Sequence, residues 1–206
     1  IVWFEALLAA AFLLGRRDAE GAALGNLGNA NAALGDTSTA IKFHQQALII
    51  AREIGDRRGE GAALGNLGNA HADLGDTSTA IEFHQQAPVI AREIGDRHGE
   101  GAALGNLGVA HDALGDASKA IEFYEQALVI SRETGNRGGE ATNLYNSAGA
   151  HWKLGDHAEA LSRAQAALEI FEAIKSPDAP KVRRVLEKWR AALQPPESRE
   201  NSGMAN

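Results

Sequence analysis

GAALGNLGNAHADLGDTSTAIEFHQQAPVIAREIGDRHGE, residues 61–100, decides the fold, because nearly the same forty residues stand directly before it and directly after it. Copies begin at Gly21, Gly61 and Gly101, and a worn fourth begins at Ala141, with no insertion between them. A period of about 20 to 50 residues marks a stacked array, in which each unit buries its apolar face only against its neighbours. The chain of 206 residues is therefore read as one domain whose length counts repeats. The units are placed at about 21–60, 61–100, 101–140 and 141–175, within an array spanning 18–175.

Each unit splits at a Gly-Asp pair: Gly35-Asp36, Gly75-Asp76, Gly115-Asp116 and Gly155-Asp156. The glycine suits the left-handed residue that ends one helix, and the aspartate suits the cap that opens the next. The same punctuation returns between units at Gly55-Asp56, Gly95-Asp96 and Gly135-Asn136. Leu24, Leu27, Ala30 and Leu34 in the first half, and Ala40, Ile41, Ala47, Leu48, Ala51 and Ile54 in the second, recur at helical spacing. The pattern predicts an all-α superhelix of antiparallel helix pairs, about ten helices in all. First (A) helices are expected near 18–34, 57–74, 97–114 and 137–154, and second (B) helices near 37–54, 77–94, 117–134 and 157–174.

Helix glycines cost about 1 kcal/mol each relative to alanine, so the recurrence of Gly25 and Gly28 at 65, 68, 105 and 108 predicts close helix approach. Pro88 stands where the neighbouring units have Leu48 and Leu128, and predicts a local kink opposite the carbonyl of His84. In the fourth unit Tyr145 replaces a glycine, Ser147 a leucine and Ala148 a glycine, and Trp152 is new. Residues 1–14, IVWFEALLAAAFLL, align one period before Ile41 and are read as the second helix of a preceding repeat. That helix is expected to expose Val2, Phe4, Leu8 and Phe12 as a surface for self-association. Residues 178–193 carry an apolar stripe of Val182, Val185, Leu186, Trp189 and Leu193 and are read as a capping helix, followed by a disordered tail at 194–206.

Helix A of LGNLGNA followed by LGD, then AI, an aromatic and QAL, resembles the tetratricopeptide repeat, with Leu27, Gly28, Ala40 and Ala47 at its small and apolar signature positions. The resemblance covers roughly residues 20–175. It departs from the 34-residue form by six residues, with Arg52, Arg92 and Arg132 at the place of the late proline. The longer unit looks like the repeats of kinesin light chains, of the spindle-orientation proteins named for their Leu-Gly-Asn repeats, and of arrays on bacterial signal-transduction NTPases.

The resemblance implies a groove lined by Ala22, Gly25, Asn26, Asn29, Ala33 and their equivalents. The column Asn26, Asn66, Asn106 and Asn146 is unbroken, and Asn29 and Asn69 extend it in the first two units before Val109 and Gly149 end it. A carboxamide accepts from a peptide N–H and donates to a peptide C=O at once. With helices about 10 Å apart and an extended chain rising about 3.3 Å per residue, one amide would meet every third residue of a bound strand. These six asparagines are therefore the expected peptide-binding residues. The inward Ala, Gly and Asn positions argue against the carboxylate clamp of lysines and arginines that the resemblance implies for chaperone-binding relatives.

The histidines of the repeats are read as packing residues, since equivalent positions about 10 Å apart cannot share a zinc ion that needs ligands at about 2.0 to 2.1 Å. The carboxylates and arginines of AREIGDRRGE and its copies are read as surface ion pairs between units, worth about 0 to 1 kcal/mol each. No catalytic constellation, cofactor or metal is expected. With 20 Lys+Arg against 27 Asp+Glu, a net charge of −7 argues against a nucleic-acid or anionic-membrane partner. The chain has no cysteine, which fits a reducing, cytoplasmic setting. The leading expectation is a non-catalytic scaffold for a protein or peptide segment. The alternatives are a sensory or regulatory arm of a larger signalling protein such as an NTPase, and a homo-oligomer formed through the apolar first helix.

Overall fold

The computed structural model describes residues 1–194; the tail expectation at 195–206 lies outside the described residues. Ten helices follow one another among the described residues: α1 (Val2–Leu13), α2 (Arg17–Ala33), α3 (Thr37–Ile54), α4 (Arg57–Asp73), α5 (Thr77–Glu93), α6 (Arg97–Ala113), α7 (Ala117–Glu133), α8 (Arg137–Lys153), α9 (His157–Ala173) and α10 (Ala179–Ala192). Each packs on the next in sequence, and the A helices α2, α4, α6 and α8 also touch their successors. The architecture is an all-α superhelix of antiparallel pairs.

The Gly-Asp punctuation makes the turns. Asp36 accepts a hydrogen bond from the Thr39 amide at 3.0 Å, and Asp56, Asp76, Asp96, Asp116, Asn136 and Asp156 cap their helices in the same way. The preceding glycines, from Gly15 to Gly155 at every twentieth residue, all have positive φ. Near the start of each B helix, Ala40, Ala80, Ala120 and Ala160 are fully buried. Leu24, Leu64, Leu104 and Leu144 fill the junctions, each burial contributing about 1.5 to 3 kcal/mol.

The helix glycines do mark close approach. The rings of His44, His84 and Tyr124 lie directly against Gly28, Gly68 and Gly108. Burial pushes the His84 imidazole down to about 4, moves His44 in the same direction, and together with the charge of Asp112 pushes the Tyr124 phenol up. The other histidines pack as well: His71 stacks on Phe83 at 5.4 Å and His111 on Phe123 at 5.2 Å. Pro88 is buried inside α5, which continues as helix to Glu93.

Two expectations change. Phe4 and Leu8 are half-buried, Leu8 packing against the first core cluster; Val2 and Phe12 are exposed as expected, joined by Trp3, Leu13 and Leu14. The inter-unit ion pairs are also not simply surface pairs, since Glu60, Glu100 and Glu140 are buried at the junctions. Each takes two arginines: Arg52 and Arg57 on Glu60, Arg92 and Arg97 on Glu100, Arg132 and Arg137 on Glu140. Burial pushes the Glu60 carboxyl up, but hydrogen bonds from Arg52 and Arg57 outweigh it and hold it below its ordinary value. Arg17, Arg57 and Arg97 reach on to Glu53, Glu93 and Glu133 of the following B helix, which laces successive units together.

At the far end, α10 lies on α9 with Val182 and Leu186 buried, Val185 and Trp189 half-buried and Leu193 exposed. Trp152 stacks on Trp189 at 4.5 Å, with the ring planes 4° apart.

Candidate functional site

Every A helix presents one face that no B helix covers, and small residues keep that face open. A Cβ on Gly25 or Gly65 would meet nothing within 4 Å. Clefts therefore form where successive A helices meet. The first, about 340 Å³ between α2, α3 and α4, is walled by Asn26, Asn29 and Asn66 over Ala47, Ile50 and Ile54. The second, about 300 Å³, repeats the arrangement with Asn66, Asn69 and Asn106 over Ala87, Ile90 and Ile94. The third, about 240 Å³, holds Asn106 and Asn146 and keeps Ile130, but Ser131, Thr134, Thr142 and Asn143 stand where the first two clefts have alanine or isoleucine.

The six asparagines named from the sequence thus line one continuous row of clefts, and their hydrogen bonds were not legible there. Asn66 Nδ2 donates to Asn29 Oδ1 at 3.1 Å, and Asn106 Nδ2 donates to Asn69 Oδ1 at 3.1 Å. The two columns are tied across each junction. Each pair leaves the amide N–H groups of Asn29 or Asn69 and the carbonyl oxygen of Asn66 or Asn106 unspent, so a donor and an acceptor remain free at each junction. Val109 ends the pairing, and Asn26 and Asn146 have no hydrogen-bond partner among the described residues.

Sequence reasoning missed the polar wall of the third cleft. Its signal was present, since Thr142 and Asn143 stand where Ala102 and Ala103 do one repeat earlier. Asn143 is buried, with Nδ2 3.5 Å from Ser131 Oγ. Among the described residues no group of three or more histidines and acids could hold a metal ion, and no helix is long and apolar enough to cross a membrane.

Solved structures repeat this architecture. A signal transduction ATPase with numerous domains from Pyrococcus horikoshii, described with a tetratricopeptide repeat sensor, superposes with a TM-score of 0.77 at 19% identity, over 88% of this chain and 28% of that one. Aspartyl phosphate phosphatase F from Bacillus subtilis superposes with a TM-score of 0.82 at 15% identity, over 97% of this chain and 52% of that one. A Rap protein complexed with Competence and Sporulation Factor gives 0.73 at 17% identity, over 89% and 51%. This chain spans about a quarter to a half of the length of these proteins, and at such identities the likeness shows the fold alone. No curated protein matches the sequence. The tetratricopeptide repeat model matches residues 19–87 and 62–133, more than half of the chain, and with the ring-on-glycine pairs and the repeated A/B turns it establishes that the chain belongs to the tetratricopeptide repeat family.

Proposed function

We propose that this chain is a non-catalytic scaffold that holds an extended segment of a partner protein along its A-helix clefts, with Asn26, Asn29, Asn66, Asn69, Asn106 and Asn146 reading its backbone. The observation that carries the reading is the pairing of Asn29 with Asn66 and of Asn69 with Asn106, which fixes the carboxamides in one orientation while sparing a donor and an acceptor at each step. Fixing polar groups before binding lowers the ordering cost of the complex. The apolar floors under Ile50, Ile54 and Ile94 would take side chains, and a cytoplasmic partner fits a chain without cysteine.

The test is a pulldown from the source organism's lysate with wild type and the Asn26/Asn66/Asn106/Asn146→Ala variant side by side. A partner retained by wild type and lost by an equally helical variant supports the groove. The same proteins captured by both would sink it.

A second reading is favoured by the likeness to the Pyrococcus horikoshii ATPase, where an array of this shape is described as a sensor. In that reading the partner segment belongs to a catalytic domain of the same signalling protein. Binding of that domain, expressed separately, to the wild-type array distinguishes the two.

A further inference from the structure

The first junction of the array departs from the later ones at several residues, and one of them touches the buried glutamate's partners. At each later junction the buried glutamate spends both carboxylate oxygens: Glu60 Oε1 accepts from Arg52 at 2.8 Å and Oε2 from Arg57 at 2.5 Å, and Glu100 and Glu140 repeat the pattern. Arg52 also donates to Gln86 Oε1 at 3.3 Å, so one guanidinium ties a carboxylate to an amide across the junction. One period earlier the residues equivalent to Glu60, Gln86 and Arg57 are Glu20, Gln46 and Arg17, but the residue equivalent to Arg52 is Phe12. Glu20 Oε2 accepts from Arg17 at 2.8 Å, while Glu20 Oε1 and the Gln46 amide have no hydrogen-bond partner among the described residues.

The substitution coincides with a cleft of about 510 Å³ between α1, α2 and α3. Leu8, Leu24, Ile49 and Ile50 supply its apolar wall, and none of the groove asparagines lines it. Its rim carries Glu5 and Glu20 against Arg17 alone, and Arg17 is already engaged by Glu20 and Glu53. Phe12 also lines it and is 71% exposed, at a position that in later repeats points an arginine at the glutamate. The cleft therefore combines an apolar wall, an acidic rim and two acceptors set where a guanidinium is held at the next junction.

We propose that this cleft docks an apolar helical segment of a partner protein bearing one arginine, whose guanidinium takes on Glu20 and Gln46 the place that Arg52 takes on Glu60 and Gln86. The site is separate from the asparagine groove, so it stands or falls independently of the groove's function. It commits the partner to a basic residue within an aliphatic face.

The probe is a short alanine-leucine helical peptide with one central arginine, titrated by calorimetry alongside its glutamate counterpart. Wild type is expected to bind the arginine peptide and not the glutamate one. Glu20→Gln should weaken binding about tenfold or more, the size of one charge-assisted hydrogen bond. Phe12→Arg, which supplies the guanidinium from the chain itself, should abolish it with helicity unchanged. The Asn26/Asn66/Asn106/Asn146→Ala variant should bind as wild type does. Equal binding of the two peptides, or undiminished binding by Glu20→Gln, overturns the assignment. Binding of octylguanidinium without binding of the arginine peptide also overturns it, in favour of a small amphiphilic cation.

Discussion

Gly68 and His84 sit so close that a Cβ on Gly68 would lie 2.5 Å from Cε1 and 2.6 Å from Nδ1 of the imidazole. The ring cannot easily retreat, because His84 is only 2% exposed. An alanine ordinarily favours a helix over glycine by about 1 kcal/mol, whereas overpacking a tight interior costs about 1 to 3 kcal/mol. Gly68→Ala is expected to lower stability by about 1 to 2 kcal/mol in urea unfolding. The fourth repeat supplies the compensation, with Ala148 at the glycine position and Ala164 at the ring position, both fully buried. Gly68→Ala with His84→Ala should therefore be less harmful than the two single changes added, by about 1 kcal/mol or more.

The same ring makes the array acid-sensitive. His84 is held at about 4 by burial, against an ordinary 6.5, and the Nδ1 atoms of His44 and His84 have no hydrogen-bond partner among the described residues. Between those values the unfolded chain takes up a proton that the folded chain refuses. Stability is thus complete above about pH 6.5, falls as pH drops toward about 4, and stops falling below that on this account. The loss from His84 is about 3 kcal/mol. His84→Tyr, which copies the Tyr124 arrangement against Gly108, should fold and flatten the urea midpoint between pH 7 and pH 5; an unchanged slope would refute the assignment.

The fold was legible because its determinants are local and repeated. Gly35-Asp36 and its copies announce a left-handed residue and a cap without reference to anything distant, and Leu24, Leu27 and Ala40 recur at every unit. The six asparagines were legible as a row for the same reason. Their pairing was not, because Asn29 meets Asn66 across a junction whose geometry no spacing within one helix encodes. The burial of Glu60, Glu100 and Glu140 was hidden likewise. A glutamate in a turn-rich, charged stretch looks solvated until two arginines from different helices are seen to close over it. Phe4 and Leu8 were misplaced because α1 is apolar all round, so its periodicity does not say which face meets α2.

Lys175 stands twenty residues after Gly155 and is the one residue other than glycine with positive φ among the described residues, at 55°. It closes α9 at the place where eight glycines close the helices before it. A side chain in that conformation costs about 1 to 2 kcal/mol, part of which glycine returns through the freer unfolded chain. Lys175→Gly is expected to raise stability by about 0.5 to 1 kcal/mol, and Lys175→Asn by less. A lower urea midpoint for Lys175→Gly would show that the lysine side chain contributes more than its backbone loses.

Pro88 offers the larger gain. It lies buried within α5, where Leu48 and Leu128 hold the equivalent buried positions. Lacking an N–H, it cannot donate to the carbonyl of His84, and its ring crowds that oxygen; a proline within a helix costs about 3 kcal/mol. Some of this is offset, because proline also stiffens the unfolded chain by about 0.4 to 1 kcal/mol. Pro88→Leu should restore the missing bond and raise stability by about 2 kcal/mol, with the new amide protected from hydrogen exchange as strongly as its neighbours. A raised midpoint with an unprotected amide would trace the gain to side-chain packing alone, and an unchanged midpoint would mean that the neighbouring helices already absorb the proline at no net cost.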